Sequence, residues 1–255
     1  MRWRLPVIFF LLGLALAPCV AAQPVGLVAT LEGDVQVRRA GDEAYSRASL
    51  RMEVRLGDRL RTGANGKVRV LFHDESELVL GTDSEIEVTE YLYRHETKER
   101  KSLLDLVRGK IRFQVTRFFL ERKPDYYLQT PTAVVGVRGT EGVLKVVNPT
   151  LAYCLTGNLV VQNPSTGEIR DLEAMMKALV ERGLPMGVEA IDPSELAGLE
   201  AEFQFGSNKA GEGGPPLPRL QDPSQQKLQE LIPRPTPSVP VPERPQPHFH
   251  RDTFR

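Results

Sequence analysis

A glycine with apolar residues at the second and fourth positions after it recurs along this chain, and that alternation limits the possible folds more than any other feature. It reads Gly33-Asp34-Val35-Gln36-Val37, Gly66-Lys67-Val68-Arg69-Val70, Gly109-Lys110-Ile111-Arg112-Phe113, Gly142-Val143-Leu144-Lys145-Val146 and Gly157-Asn158-Leu159-Val160-Val161. A period of two sends successive side chains to opposite faces, so each phrase predicts a half-buried strand opened by a turn. Each glycine is expected to follow a turn that uses positive φ, which a residue without Cβ adopts freely. The phrases return at irregular intervals, so the units are similar without forming a fixed repeat. One turn-plus-strand unit cannot cover its own apolar face; its neighbours must do so. From about residue 25 to 190 the expected fold class is therefore all-β, as a β-solenoid-like stack or a two-layer β-sandwich.

The stretch Leu172 to Val180 is ambiguous, because its Glu, Ala, Met, Lys and Leu are good helix formers. A short helix over 191–205 is better marked. Asp192 suits the N-cap, Pro193 the first helical position, and the run continues through Leu196, Leu199 and Ala201. Over 206–255 prolines crowd a segment with few large apolar residues, and an extended, disordered tail is expected. It would serve as a spacer or wall-crossing leash, or as a docking peptide through Leu228, Leu231 and Ile232.

The first 22 residues predict a secretory signal peptide. Arg2 and Arg4 form a positive start, and the apolar run from Leu5 to Ala17 is short for a membrane span. Cleavage is expected after Ala22, with Val20 and Ala22 as the small residues before the scissile bond; an uncleaved anchor is the alternative. A lipid on Cys19 is a second alternative, opposed by Pro18 just before it. With Cys19 removed, Cys154 is the one thiol of the mature chain, and it reads as a small buried residue on a strand.

Lys plus Arg and Asp plus Glu balance at 33 each, so no global field favours nucleic acid or an acidic membrane surface. The four histidines, His73, His95, His248 and His250, are scattered, and no HExxH, CxxC, GxSxG or phosphate-binding glycine loop occurs. No catalytic residue, metal site or cofactor is expected, and a hydrolase ranks below the binding readings.

Several ordered phrases resemble the FecR family. Leu56-Gly57-Asp58-Arg59-Leu60-Arg61-Thr62-Gly63 looks like its "GD-x-φ-x-TG" turn, with the strand Lys67 to Phe72 behind it. Asp74-Glu75-Ser76 stands where the family has Asp-Gly-Ser, and the missing glycine implies a turn without positive φ there. Leu103 to Arg112, with Gly109, resembles the next strand. Thr130-Pro131-Thr132-Ala133-Val134-Val135-Gly136-Val137-Arg138-Gly139-Thr140 is similar to the "TP-x-A-x-x-G-V-R-G-T" signature. The resemblance implies an all-β domain outside the cytoplasmic membrane, here a standalone exported member in a Gram-negative-type envelope. With the domain directly behind a signal peptide, sigma-factor control is not expected. Family members continue with strands ending in a "G-x-P" turn, similar to Gly183-Leu184-Pro185, so extended structure is expected within 168–182 against local propensity.

Two candidate sites follow from the residues. Thr130-Pro131 sets an extended lead-in, Gly136 and Gly139 permit close backbone approach, and Arg138 carries a donor fork. Arg138 and Thr140 either tie this turn to neighbouring strands or contact a ligand. On the strand at Gly109, Lys110, Arg112 and Gln114 share one face and Ile111, Phe113 and Val115 the other. A cationic stripe of Lys110 and Arg112, with Arg100, Lys101, Arg108, Arg117, Arg122 and Lys123 around it, could meet an acidic partner. Phe118, Phe119, Tyr126 and Tyr127 could add a stacking surface. The expected function is a non-enzymatic periplasmic or cell-surface adaptor or sensor that recognises an envelope protein or polysaccharide, with no nucleic acid and no membrane span in the mature form. The alternative is a passive envelope spacer or anchor.

Overall fold

The computed structural model describes residues 23–97, 99–117 and 123–206. The expected export sequence with Cys19 and the scission point after Ala22 lies outside them, as do Phe118, Phe119, Arg122 and the tail beyond Gly206.

The described residues form an all-β body with one helix. β1 (Pro24–Glu32), β2 (Val35–Arg38), β3 (Ser46–Arg47), β4 (Glu53–Arg55), β5 (Arg59–Thr62) and β6 (Lys67–Phe72) come first. β7 (Glu77–Leu80), β8 (Glu85–Arg94), β9 (Glu99–Gln114), β10 (Tyr126–Gln129), β11 (Val134–Val137) and β12 (Glu141–Val146) follow. β13 (Thr150–Thr156), β14 (Asn158–Gln162), β15 (Ile169–Glu173), β16 (Met176–Val180) and β17 (Gly187–Ala190) precede the helix α1 (Pro193–Phe203).

The pairings sort into two rows. The first runs β4-β1-β6-β7-β9-β12-β13-β16-β17. The second runs β3-β2-β5-β8-β9-β10-β11-β14-β15. Because β9 belongs to both, the ladder is continuous and open. Every pairing is antiparallel except β9 with β10. A solenoid would need parallel strands stacked coil on coil, whereas the short hairpins here permit only antiparallel neighbours. Of the two expected arrangements, the two-row one is formed. Val28, Val70, Leu80 and Leu144 of the first row share one apolar core with Val37, Leu60, Leu106 and Val161 of the second. Leu104 lies in the middle of it with no exposed surface.

Passage of β9 from one row to the other depends on Gly109. Before it the even-numbered Leu104 and Leu106 point inward, and after it the odd-numbered Ile111, Phe113 and Val115 do. Gly109 has φ +85, the left-handed region that inverts the alternation and favours glycine. Among the other recurring glycines Gly33 and Gly157 also have positive φ, but Gly66 and Gly142 do not. At those two the reason is close approach: a Cβ on Gly66 would lie 2.0 Å from the Asp34 carbonyl oxygen.

The helix-forming stretch within 168–182 is extended, as β15 and β16. Tertiary pairing overrides propensity there, since β16 lies between β13 and β17 and buries Ala178 and Val180. The Gly183-Leu184-Pro185 turn follows, with φ +75 at Gly183. Buried Asn163 holds it by donating to the Glu181 and Leu184 carbonyls at 2.8 and 2.9 Å.

One turn departs from expectation. Glu75 has φ +59, so the Asp74-Glu75-Ser76 turn adopts positive φ without a glycine. Its neighbours hold that conformation. The Asp74 carboxylate accepts from the Ser76 amide and hydroxyl at 3.2 and 2.8 Å, and the Phe72 amide donates to the Ser76 carbonyl at 2.9 Å.

Candidate partner-binding face

Strand alternation fixes what the first row shows on its outside. With Val68, Leu78, Ile111, Phe113, Leu144, Cys154 and Ala178 in the core, the intervening residues must face outward. These include Lys67, Arg69, Lys110, Arg112, Lys145 and Lys177, on four different strands. Between the cations stand three apolar residues, Val79, Val143 and Tyr153, which form a second apolar cluster outside the main core.

α1 covers this face. Asp192 caps it, accepting from the Ser194 amide at 2.8 Å, and Pro193 opens it. Leu199 and Phe203 bury themselves on the outer apolar cluster. Glu195 accepts from Lys177 Nζ at 2.7 Å and from the Tyr153 hydroxyl at 2.8 Å. Glu202 meets Lys145 Nζ at 2.8 Å and Lys110 Nζ at 3.1 Å. Beyond the helix, Lys67 donates to the Gln204 carbonyl at 2.5 Å, Arg69 lies 5.3 Å from the Phe205 ring centroid, and the Gly206 amide donates to Glu32 at 3.1 Å. From β16 to β1, the segment straps an acidic helix across a basic sheet face.

The titrations follow this pairing. The hydrogen bond from Lys177 holds Glu195 below the ordinary glutamate value of 4.5. Burial alone would raise Glu202, but the hydrogen bonds from Lys145 and Lys110 outweigh it and its pKa is lowered. Bonds to Glu195 and Glu189 raise Lys177. A depressed carboxylate contributes stability above its unfolded pKa and loses it as pH falls through the folded one; a raised lysine contributes below its unfolded pKa and loses it as pH rises. The strap is therefore expected to hold between about pH 4.5 and 10.5, the ordinary values for these groups. Amide hydrogen exchange at Leu199 and Phe203, corrected for intrinsic rate, should show protection falling below this window while Leu104 stays protected. Simultaneous loss at all three positions would contradict the pairing.

The structure brings Lys110 and Arg112 onto this one face, both ion-paired: Lys110 with Glu202, and Arg112 with Glu141 through Nε at 2.9 Å. Arg138 is half-buried in the β11–β12 turn. Thr140 is buried and donates to the Asn158 carbonyl at 2.8 Å, tying that turn to β14. A Cβ on Gly139, at φ +64, would lie 2.4 Å from Arg117 Cβ, and one on Gly136 would lie 2.8 Å from Pro124. After Thr130-Pro131 the chain turns back: the Thr130 hydroxyl accepts from the Ala133 amide at 2.9 Å and contacts the Thr150 hydroxyl at 2.9 Å. Buried Asp58 accepts from the Arg55 amide and from Arg39 at 2.8 and 2.5 Å. Thr62 donates to the Gly81 carbonyl at 2.6 Å, Gly57 has φ +80, and the Gly63 amide donates to the Asp34 carbonyl at 3.0 Å. These signature residues are engaged in holding turns. Of the expected stacking aromatics, Tyr126 is in the core and Tyr127 donates to the Pro124 carbonyl at 3.0 Å.

A buried ionic network escaped sequence reasoning. The Arg100 side chain, fully buried, meets Asp74 at 3.3 Å and Asp125 at 2.6 Å, and donates to the Thr116 carbonyl at 2.8 Å. Burial would lower the guanidinium pKa, but Asp125 and then Asp74 more than reverse this and raise it. The Asp74 amide donates to the Tyr91 hydroxyl at 2.9 Å, and Tyr91 stacks on Phe72 at 5.7 Å. Burial first, then the Asp74 charge, raise the Tyr91 and Tyr126 pKa values. Beside this network a cleft of about 470 Å³ is lined by His73, Tyr91, Tyr93 and Arg94 among others. Cys154 is buried as expected, its thiol pushed up to about 11 by burial. It is therefore protonated at neutral pH.

Residues 58–159, from the start of β5 into β14, match the family described as FecR protein. That stretch is FecR-like. The match takes in the buried network and all the turn-holding signature residues except Gly57, and it stops short of α1. Two crystal structures of a candidate anti-sigma factor from Parabacteroides distasonis are similar at 16% identity, with TM-scores of 0.46 and 0.44. They cover 56% and 55% of this chain, and this chain spans 64% and 62% of theirs, less than two thirds of their length. A likeness this distant does not reach ligand or partner. No curated protein matches the chain. Among the described residues no helix is long and apolar enough to cross a membrane, and no three His, Cys, Asp or Glu side chains gather to hold a metal ion.

Proposed function

We propose that this chain is an exported, non-enzymatic sensing or regulatory adaptor, working in the periplasm or at the cell surface after cleavage near Ala22, and recognising an envelope protein or polymer through its FecR-like domain. The observation that carries this is a division of labour. The family signature residues are spent on turns and core, whereas the outer face of the first row gathers cations and apolar groups into a contact surface. The apolar N-terminal run of the sequence supports export.

The test is a pull-down from envelope extract with the full chain as bait. Reproducible capture of one component is expected, reduced at least tenfold by Lys110→Gln with Arg112→Gln while the β circular dichroism spectrum is kept. Arg138→Ala in parallel shows whether the β11–β12 turn takes part. Absence of any reproducible capture would favour a passive spacer. Recovery of the protein from the cytosol with Met1 intact would overturn export.

A further inference from the structure

The outer face of the first row is already occupied, and its occupant shows what it fits. α1 presents Glu195, Leu199, Glu202 and Phe203, spaced to lie along one side of a helix. The sheet answers with Lys177 and Tyr153 for Glu195, Lys145 and Lys110 for Glu202, and an apolar cluster for Leu199 and Phe203. The complementarity is of charge as well as shape. α1 also carries Glu200 and has no basic residue in its last turn.

The occupant is held weakly by comparison with what lies beneath it. α1 has 11 residues, too few for an isolated helix to persist in water. Only Leu199 and Phe203 of the helix are buried. Its ion pairs are part-exposed, with Glu195 and Glu202 side chains at 29% and 31% exposure, and such pairs hold loosely. Gly198 sits within the helix although a Cβ there would meet nothing within 4 Å, so the chain keeps a helix-weakening residue that packing does not require. The sheet under α1, in contrast, has its own core on its other side and does not need the helix to close it.

We propose that the outer face of the first row is a docking surface for an acidic amphipathic helix of a partner protein, and that α1 is its exchangeable resident. The inference deepens the adaptor reading and rests on it for the identity of the partner as a protein. Opening the strap exposes Val79, Val143 and Tyr153 between three lysines, and a partner helix with glutamates two turns apart around apolar residues re-covers them.

The probe is a fluorescent synthetic peptide with the sequence of residues 191–206, titrated into the full exported chain and followed by anisotropy. Three forms are compared: the unmodified chain, Gly198→Ala, which strengthens the resident helix, and Glu195→Gln with Glu202→Gln, which loosens it. The expected order is clear. The loosened chain binds at least tenfold tighter than the unmodified one, and Gly198→Ala binds about fivefold weaker. Binding falls with added salt, and a peptide with both glutamates replaced by lysine does not bind. Equal affinity in all three forms, or no binding by any of them, overturns the proposal. Competition by polyglutamate as effective as by the peptide also overturns it, since the face would then be a general anion surface. Gly198→Ala guards against misfolding, because it adds a methyl group in open space. A chain that binds the peptide in this order but captures nothing from envelope extract would fail the adaptor reading and leave the docking surface standing.

Discussion

Arg100→Met is expected to destabilise the FecR-like domain by about 3–5 kcal/mol, the usual loss when one partner of a buried ionic group is removed. Methionine fills much of the arginine's volume, so the loss comes from charge and hydrogen bonding more than from a cavity. Asp74 has no exposed side-chain surface and Asp125 is 21% exposed, so both carboxylates would be left near the core without their cation. The Thr116 carbonyl would lose its 2.8 Å donor as well. Urea unfolding followed by tyrosine fluorescence measures the effect, with the transition midpoint falling and the slope unchanged. Adding Asp74→Asn to Arg100→Met should recover part of the loss, because an amide left without a partner costs less than a carboxylate. A loss below about 1 kcal/mol would mean that the network is wetter and softer than its burial implies.

Gly109→Val should be comparably severe, on the order of 3 kcal/mol, for two separable reasons. A β-branched residue at φ +85 is strained wherever it stands. The Cβ would also lie 2.5 Å from the Cα of Ser84 and 2.6 Å from the Asp83 carbonyl oxygen, both backbone atoms that cannot swing aside. Ser84 is anchored in turn, its hydroxyl bridging the Lys110 amide and carbonyl at 2.9 and 3.0 Å. Comparing Gly109→Ala with Gly167→Ala separates strain from clash, since Gly167 has φ +76 and open space around it. The Gly167 change should cost about 1 kcal/mol, and the Gly109 change clearly more. Equal losses in chemical denaturation would show that the strand crossing tolerates displacement of Ser84.

These two positions show how unevenly the molecule could be read beforehand. Gly109 was visible as one of the recurring glycines, because the alternation after it is a local property of the chain. It was expected to open a strand after a turn, and it lies instead within β9, where its positive φ inverts the alternation. Arg100 was visible only as one cation in a basic stretch, since its partners lie 26 and 25 residues away in either direction. Lys110 and Arg112 were correctly assigned to an outward face. Their carboxylate partners, Glu202 and Glu141, could not be assigned, because pairing depends on how strands order themselves. Arg138 and Thr140 stood out through the family phrase, and Thr140 proves to hold its turn by a bond to the Asn158 carbonyl. The turn at Glu75 misled for a related reason. A missing glycine argues against positive φ only if nothing else holds the turn, and Asp74, Ser76 and Phe72 do.

Sequence alone determined the β class, the inward and outward faces of most strands and the capped helix at Asp192, because each depends on neighbours a few residues apart. Tertiary structure decided the two-row order, the burial of Arg100 between two aspartates, the extended state of Met176 to Val180 and the seating of an acidic helix on a basic sheet. Each of these joins groups far apart in the chain. Their energies come from burial and pairing that exist only once the strands have met, and no local propensity encodes them.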